Sequence, residues 1–151
     1  MILAIALASI EASAADAPLT ADQFLASTQA CVAAVGPNGV DEALLIGDGW
    51  IRVTTEAEES ATAIRTYARR GAVPIYLTMK RGGCVAQADR LPDGGLPSML
   101  TTFDEAFGKP KFAVGPLRQW QIGNHSILFA DAGGKDHRIG FAVSYVSGTS
   151  R

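Results

Sequence analysis

The chain has 151 residues, 48% of them apolar and 19% charged, with 13 basic and 15 acidic side chains and a formal net charge of -2. That length supports one domain with a real core and is too short for two ordinary ones. The apolar content excludes a wholly disordered chain, and the slight negative charge speaks against nonspecific nucleic-acid binding.

Residues 1–14 read as a truncated or atypical export signal. Ile2 to Ile10 form a short apolar run, and Ala12-Ser13-Ala14 supplies the small-residue pattern that precedes a cleavage point. The basic n-region is missing, since no Lys or Arg precedes Arg52, and a start codon further upstream is its simplest explanation. Residues 15–151 then form a single small domain, expected in the periplasm or outside the cell. No apolar run approaches the roughly 20 residues of a spanning helix, so no transmembrane helix is expected in the mature domain.

The spacing predicts a first helix over Leu19 to Val35. Thr20 and Gln23 form a capping-box pattern, and Phe24, Leu25, Thr28, Cys31, Val32 and Val35 recur on one side. Ala43–Ile46 and Trp50–Thr54, flanking Gly47-Asp48-Gly49, read as a hairpin that places Ile51 and Val53 on one face and Trp50 and Arg52 on the other. A second helix is expected from Thr55, with Glu58 closing its capping box, to Arg69-Arg70-Gly71, although its apolar side is thin.

Val73, Ile75, Leu77 and Met79 alternate with Pro74, Tyr76, Thr78 and Lys80, the pattern of a half-buried strand. A turn at Arg81-Gly82-Gly83 leads into a strand over Cys84 to Asp89. A third helix is expected from Ser98 to Gly108, then short strands at Phe112–Val114, Trp120–Ile122, Ser126–Ala130 and Ile139–Val146. The order implies an α+β domain with helices packed on a predominantly antiparallel sheet, because short connections suit antiparallel neighbours. Each half shows a helix followed by strands, too loosely to establish a repeat.

Cys31 and Cys84 both fall on inward positions and suit a disulfide in an oxidising compartment. The sharpest catalytic alternative is a Cys84 nucleophile activated by His125 or His137 and oriented by Asp131 or Asp136, which a disulfide would consume. Ser98 and Ser126 lack a nucleophile elbow, and Gly133-Gly134-Lys135 lacks the rest of a phosphate loop. Asp131, Asp136 and His137 lack an EF-hand order or a zinc spacing, so no catalytic, metal or cofactor site is assigned.

Arg65, Arg69, Arg70, Lys80, Arg81 and Arg90 would form a basic interaction rim for an acidic protein or envelope polymer if the second helix end and the following hairpin turn converge. Trp50, Tyr76 and Trp120 are candidate apolar anchors if exposed. The leading expectation is an exported, non-catalytic envelope or periplasmic interaction protein. A small hydrolase-like enzyme and a structural accessory domain are the alternatives.

Overall fold

Thr20 opens the first helix as read from the sequence: its side chain accepts the Gln23 N–H while Gln23 Oε1 accepts the Thr20 N–H. The computed structural model describes residues 18–131 and 138–148; residues 1–14, read from the sequence as an export signal, and Asp136 and His137 lie outside them. Helix α1 (Ala21–Ala34) leads into a two-stranded ribbon of β1 (Val35–Gly36) and β2 (Gly39–Val40), then a short helix α2 (Glu42–Gly47). Strand β3 (Ile51–Arg52), helix α3 (Glu56–Thr62), and strands β4 (Ile64–Ala68), β5 (Ile75–Thr78) and β6 (Gly83–Ala88) follow. Helix α4 (Gly95–Phe107) precedes β7 (Phe112–Val114), β8 (Leu117–Ile122), β9 (His125–Asp131) and β10 (Ile139–Tyr145).

The fold is α+β. Eight strands form one antiparallel sheet in the order β3-β4-β5-β6-β10-β9-β8-β7. From either end inward, the order β4-β5-β6 is matched by β8-β9-β10, and each three-strand set follows one long helix. The two halves are therefore α-β-β-β units joined where β6 pairs with β10, at Ala86↔Phe141 and Cys84↔Val143.

Helices α1 and α4 lie side by side on one face of this sheet. Phe24 from α1 and Phe103 from α4 both meet Phe141, the latter in a stack with centroids 3.7 Å apart. Trp120 and Phe129 complete the aromatic centre. Fully burying each such ring is worth roughly 1.5–3 kcal/mol, so this cluster carries much of the core. Ser27 Oγ donates to the Val73 carbonyl at 2.7 Å, fixing α1 to the chain just ahead of β5. The Cys31–Cys84 disulfide joins α1 to β6 with a Cα separation of 5.5 Å, and both residues are buried.

Three elements differ from the sequence expectation. Ala43–Ile46 is helical because Asp41 caps it, accepting the Ala43 N–H, and of its residues only Leu45 is buried. The strand after it pairs with β4 instead, Ile51 opposite Ala68. The helix expected to reach Arg70 stops at Thr62, where Ala63 turns left-handed (φ 55°). Helix α3 buries none of its residues, whereas Ile64 to Ala68 alternates across a sheet and puts Tyr67 into the core. The third helix begins at Gly95, with Pro97 accommodated in its first turn, where an N–H has no helical partner.

Candidate interaction surface

Strand register assigns every outward side chain of the sheet. On the covered face lie Tyr67, Ile75, Leu77, Cys84, Ala86, Phe141, Val143, Phe129, Ile127 and Trp120, which form the core. The opposite face carries Ile51 on β3, Ile64, Thr66 and Ala68 on β4, and Tyr76 and Thr78 on β5. Val85 and Gln87 on β6 face Ala142 and Gly140 on β10. Ser144 on β10, Ser126, Leu128 and Ala130 on β9, Leu117, Gln119 and Gln121 on β8, and Phe112 and Val114 on β7 complete it. Val53 extends β3 along this face, donating its N–H to the Thr66 carbonyl.

None of these side chains is an Asp, Glu, Lys, Arg or His. The Arg, His and Asp residues of these strands, namely Arg52, Arg65, Arg118, His125 and Asp131, all fall on the helix-covered side by register. This inverts the usual arrangement, in which the uncovered face of an antiparallel sheet is polar and about 25–35% of a soluble surface is charged. The face also holds Ile51, Val53, Phe112, Val114, Leu117 and Leu128, which are between 40% and 69% exposed. Charge appears only at its rim. Lys111, beside β7, donates to Gln121 Oε1 at 2.6 Å, and Asp89, Arg90 and Arg138 stand at one end of a groove of about 740 Å³ floored by Tyr76, Val85 and Gln87.

The charged cluster lies at the β3–β4 edge on the other side. Arg65 donates to Glu42 at 2.6 Å and to Glu59 at 2.9 Å, Arg52 donates to Glu59, and the Tyr67 hydroxyl donates to Glu42. Hydrogen bonding from Arg65 holds the Glu59 carboxyl down at about 2. Burial opposes ionisation of Glu42, but Arg65 and Tyr67 outweigh it and hold its carboxyl below the ordinary range. Burial, with the Glu42 carboxylate beside it, pushes the Tyr67 hydroxyl up to about 12. These groups keep fixed protonation states near neutral pH, which suits a structural brace and not proton transfer.

The six basic residues singled out in the sequence do not share one rim. Because β4 and β5 are antiparallel, Arg69 and Arg70 leave β4 at the end of the sheet where β6 delivers Arg90. Lys80 and Arg81 occupy the β5–β6 turn at the opposite end, and Arg65 is held between Glu42 and Glu59. Arg69 is paired with Asp48 and lies over the Trp50 ring at 4.9 Å. The expected convergence required a helix end where the chain has a strand.

Of the aromatic candidates, Trp50 and Trp120 are buried and belong to the core, while Tyr76 stands half-buried on the open face. Cys84 is bonded and fully buried, so it offers no thiolate. His125 is held by the Val35 carbonyl at 2.7 Å, which can only accept, so Nε2 carries the hydrogen. Ser126 follows it on the opposite face of the strand and accepts from Gln119, so the two side chains cannot form a nucleophile and base pair. Asp131 also lies on the covered side. Ser98 is exposed on α4. Among the described residues no cluster of His, Cys, Asp or Glu could hold a metal, and no helix is long and apolar enough to cross a membrane.

Searches of protein-family models, curated proteins and solved structures find no match to this chain. The open face itself was legible in part: the partners of the core positions, Tyr76 and Thr78, Gln119 and Gln121, Gly140 and Ala142, are all uncharged. Only the strand order shows that they share one surface.

Proposed function

We propose that this protein is an exported, non-catalytic interaction protein of the periplasm or envelope, with the open face of its sheet as the working surface. The observation that carries the reading is the uncharged face, apolar at both ends and rimmed by Lys111, Asp89, Arg90 and Arg138. Exposed apolar side chains gathered on one uncharged face mark contact sites, and leaving them in water has no benefit for the domain. The buried disulfide and the leader-like segment support an oxidising compartment.

Two measurements test the two parts. Fractionation with sequencing of the mature N-terminus should recover the protein outside the cytoplasm, cut after Ala14; cytoplasmic protein with an intact leader would refute export. Carbene footprinting in a native envelope extract should label Phe112 and Leu128 far less than Leu44 and Ile46, which are comparably exposed on α2. Equal labelling would refute the surface assignment.

A further inference from the structure

The face has a shape and chemistry that select its occupant. We propose that the open sheet face binds the open sheet face of a second copy of this chain, giving a twofold dimer of stacked sheets; this rests on the reading of that face as the interaction surface.

Charge argues first. An isologous contact places each patch against itself, so any charge on it meets a like charge. A face whose strands present no charged side chain escapes that repulsion, and its strands offer no charge to recognise an acidic protein, a phosphate or a basic segment. Asp89, Arg90 and Arg138 stand at one end of the β6–β10 seam, and a twofold axis running across the strands carries them to the opposite end of the partner's face, away from their own copies.

Size argues second. Eight strands spaced about 4.8 Å apart span about 38 Å, and strands averaging about five residues at roughly 3.3 Å each give about 17 Å of length. The footprint is about 650 Å² per copy, or about 1,300 Å² for a pair. Stable specific interfaces bury about 1,200–2,000 Å², so one face suffices with no help from the helices.

Symmetry argues third. The matched order of the two α-β-β-β units makes the two ends of the face alike, with Ile51 and Val53 beyond β4 at one end and Phe112 and Val114 beyond β8 at the other. Whichever way a second copy is turned about an axis in the face, branched apolar side chains meet apolar side chains. At the seam, Gly140 and Ala142 stand beside Val85 and Gln87, low enough for two sheets to approach the usual spacing of about 10 Å.

Sedimentation equilibrium of the purified full chain, from about 1 to 300 µM, tests this. Two-copy mass is expected at the upper end. Leu128→Glu and Val114→Glu, on different strands, should each raise the dissociation midpoint at least tenfold, whereas Leu44→Glu, exposed on α2, should leave it unchanged. Far-UV circular dichroism and urea midpoints identify variants that fold, and a variant that fails to fold is replaced by its partner on the other strand. One-copy mass at every concentration, or dimers unaffected by both folded variants, would overturn the proposal. If the chain is monomeric yet Phe112 and Leu128 stay shielded in the extract, a different molecule covers the face, and only the second copy is rejected. If they label freely there too, both readings fall.

Discussion

Replacing Cys31 and Cys84 together by alanine removes a bridge between residues separated by 53 positions. Closing a loop of that length lowers the entropy of the unfolded chain enough to contribute about 4 kcal/mol at 25 °C. Both sulfurs are buried, so the two small cavities left behind add about 1–2 kcal/mol. A loss of about 5–6 kcal/mol is a large share of the roughly 5–15 kcal/mol that holds a typical domain folded. At about 3–4 °C per kcal/mol for a domain of this size, the melting temperature should fall by about 15–24 °C. Urea unfolding of the oxidised wild type and the double variant measures the difference directly. A loss below about 2 kcal/mol would show that the bridge does not restrain the unfolded chain as reasoned. A second arm checks burial: dithiothreitol should reduce the folded protein only as fast as it opens, so immediate reduction without unfolding would contradict the fully buried sulfurs.

Phe103→Ala, which breaks the stack on Phe141 and the contact with Trp120, should cost about 3–5 kcal/mol by chemical denaturation; a cost under about 1 kcal/mol would remove that ring from the core. Because the Glu59 carboxyl is held at about 2 instead of near 4.5, its contribution is present above pH 4.5 and lost as pH falls toward 2. Glu59→Gln should therefore flatten the acid limb of the stability profile, and an unchanged limb would disprove the pairing with Arg65. The Tyr67 hydroxyl, raised from 10 to about 12, contributes below pH 10 and loses that contribution as pH rises through 12, so Tyr67→Phe should flatten the alkaline limb. Trp120 donates to Asp104 at 2.9 Å, whereas the buried Trp50 indole N–H has no partner among the described residues. Trp120→Phe should consequently destabilise by about 1 kcal/mol more than Trp50→Phe, and the reverse order in urea midpoints would contradict this assignment.

Local chemistry carried the long elements. The Thr20 and Gln23 capping box starts α1 where the sequence placed it, and the alternation from Val73 to Met79 and from Ile139 to Tyr145 produced β5 and β10. The Cys31–Cys84 bridge followed from inward positions on two such elements. Short segments were ambiguous because few residues decided them. Ala43 to Ile46 is apolar enough for a strand, and only the Asp41 cap selects a helix. Thr55 and Glu58 announce a helix start but nothing in the local sequence marks Ala63 as its end; Tyr67, drawn into the core and bonded to Glu42 from a distant helix, settles that choice. The open face was only partly legible for the same reason, since its members come from strands far apart in the chain and share a surface only through tertiary order.

The position of β10 bears on how such a chain can be made. Strand β10, Ile139–Tyr145, lies between β6 and β9, so the two halves share no sheet until that strand has emerged from the ribosome. Until then the N-terminal half presents the unpaired edge of β6, with Cys84 on it, and the Phe24 side of α1 lacks Phe141. Vectorial synthesis therefore holds the chain open, and completion is a late event that depends on contacts distant in sequence. Until β10 is in place the Cys84 strand stays accessible, so formation of the Cys31–Cys84 bridge does not have to await a finished sheet.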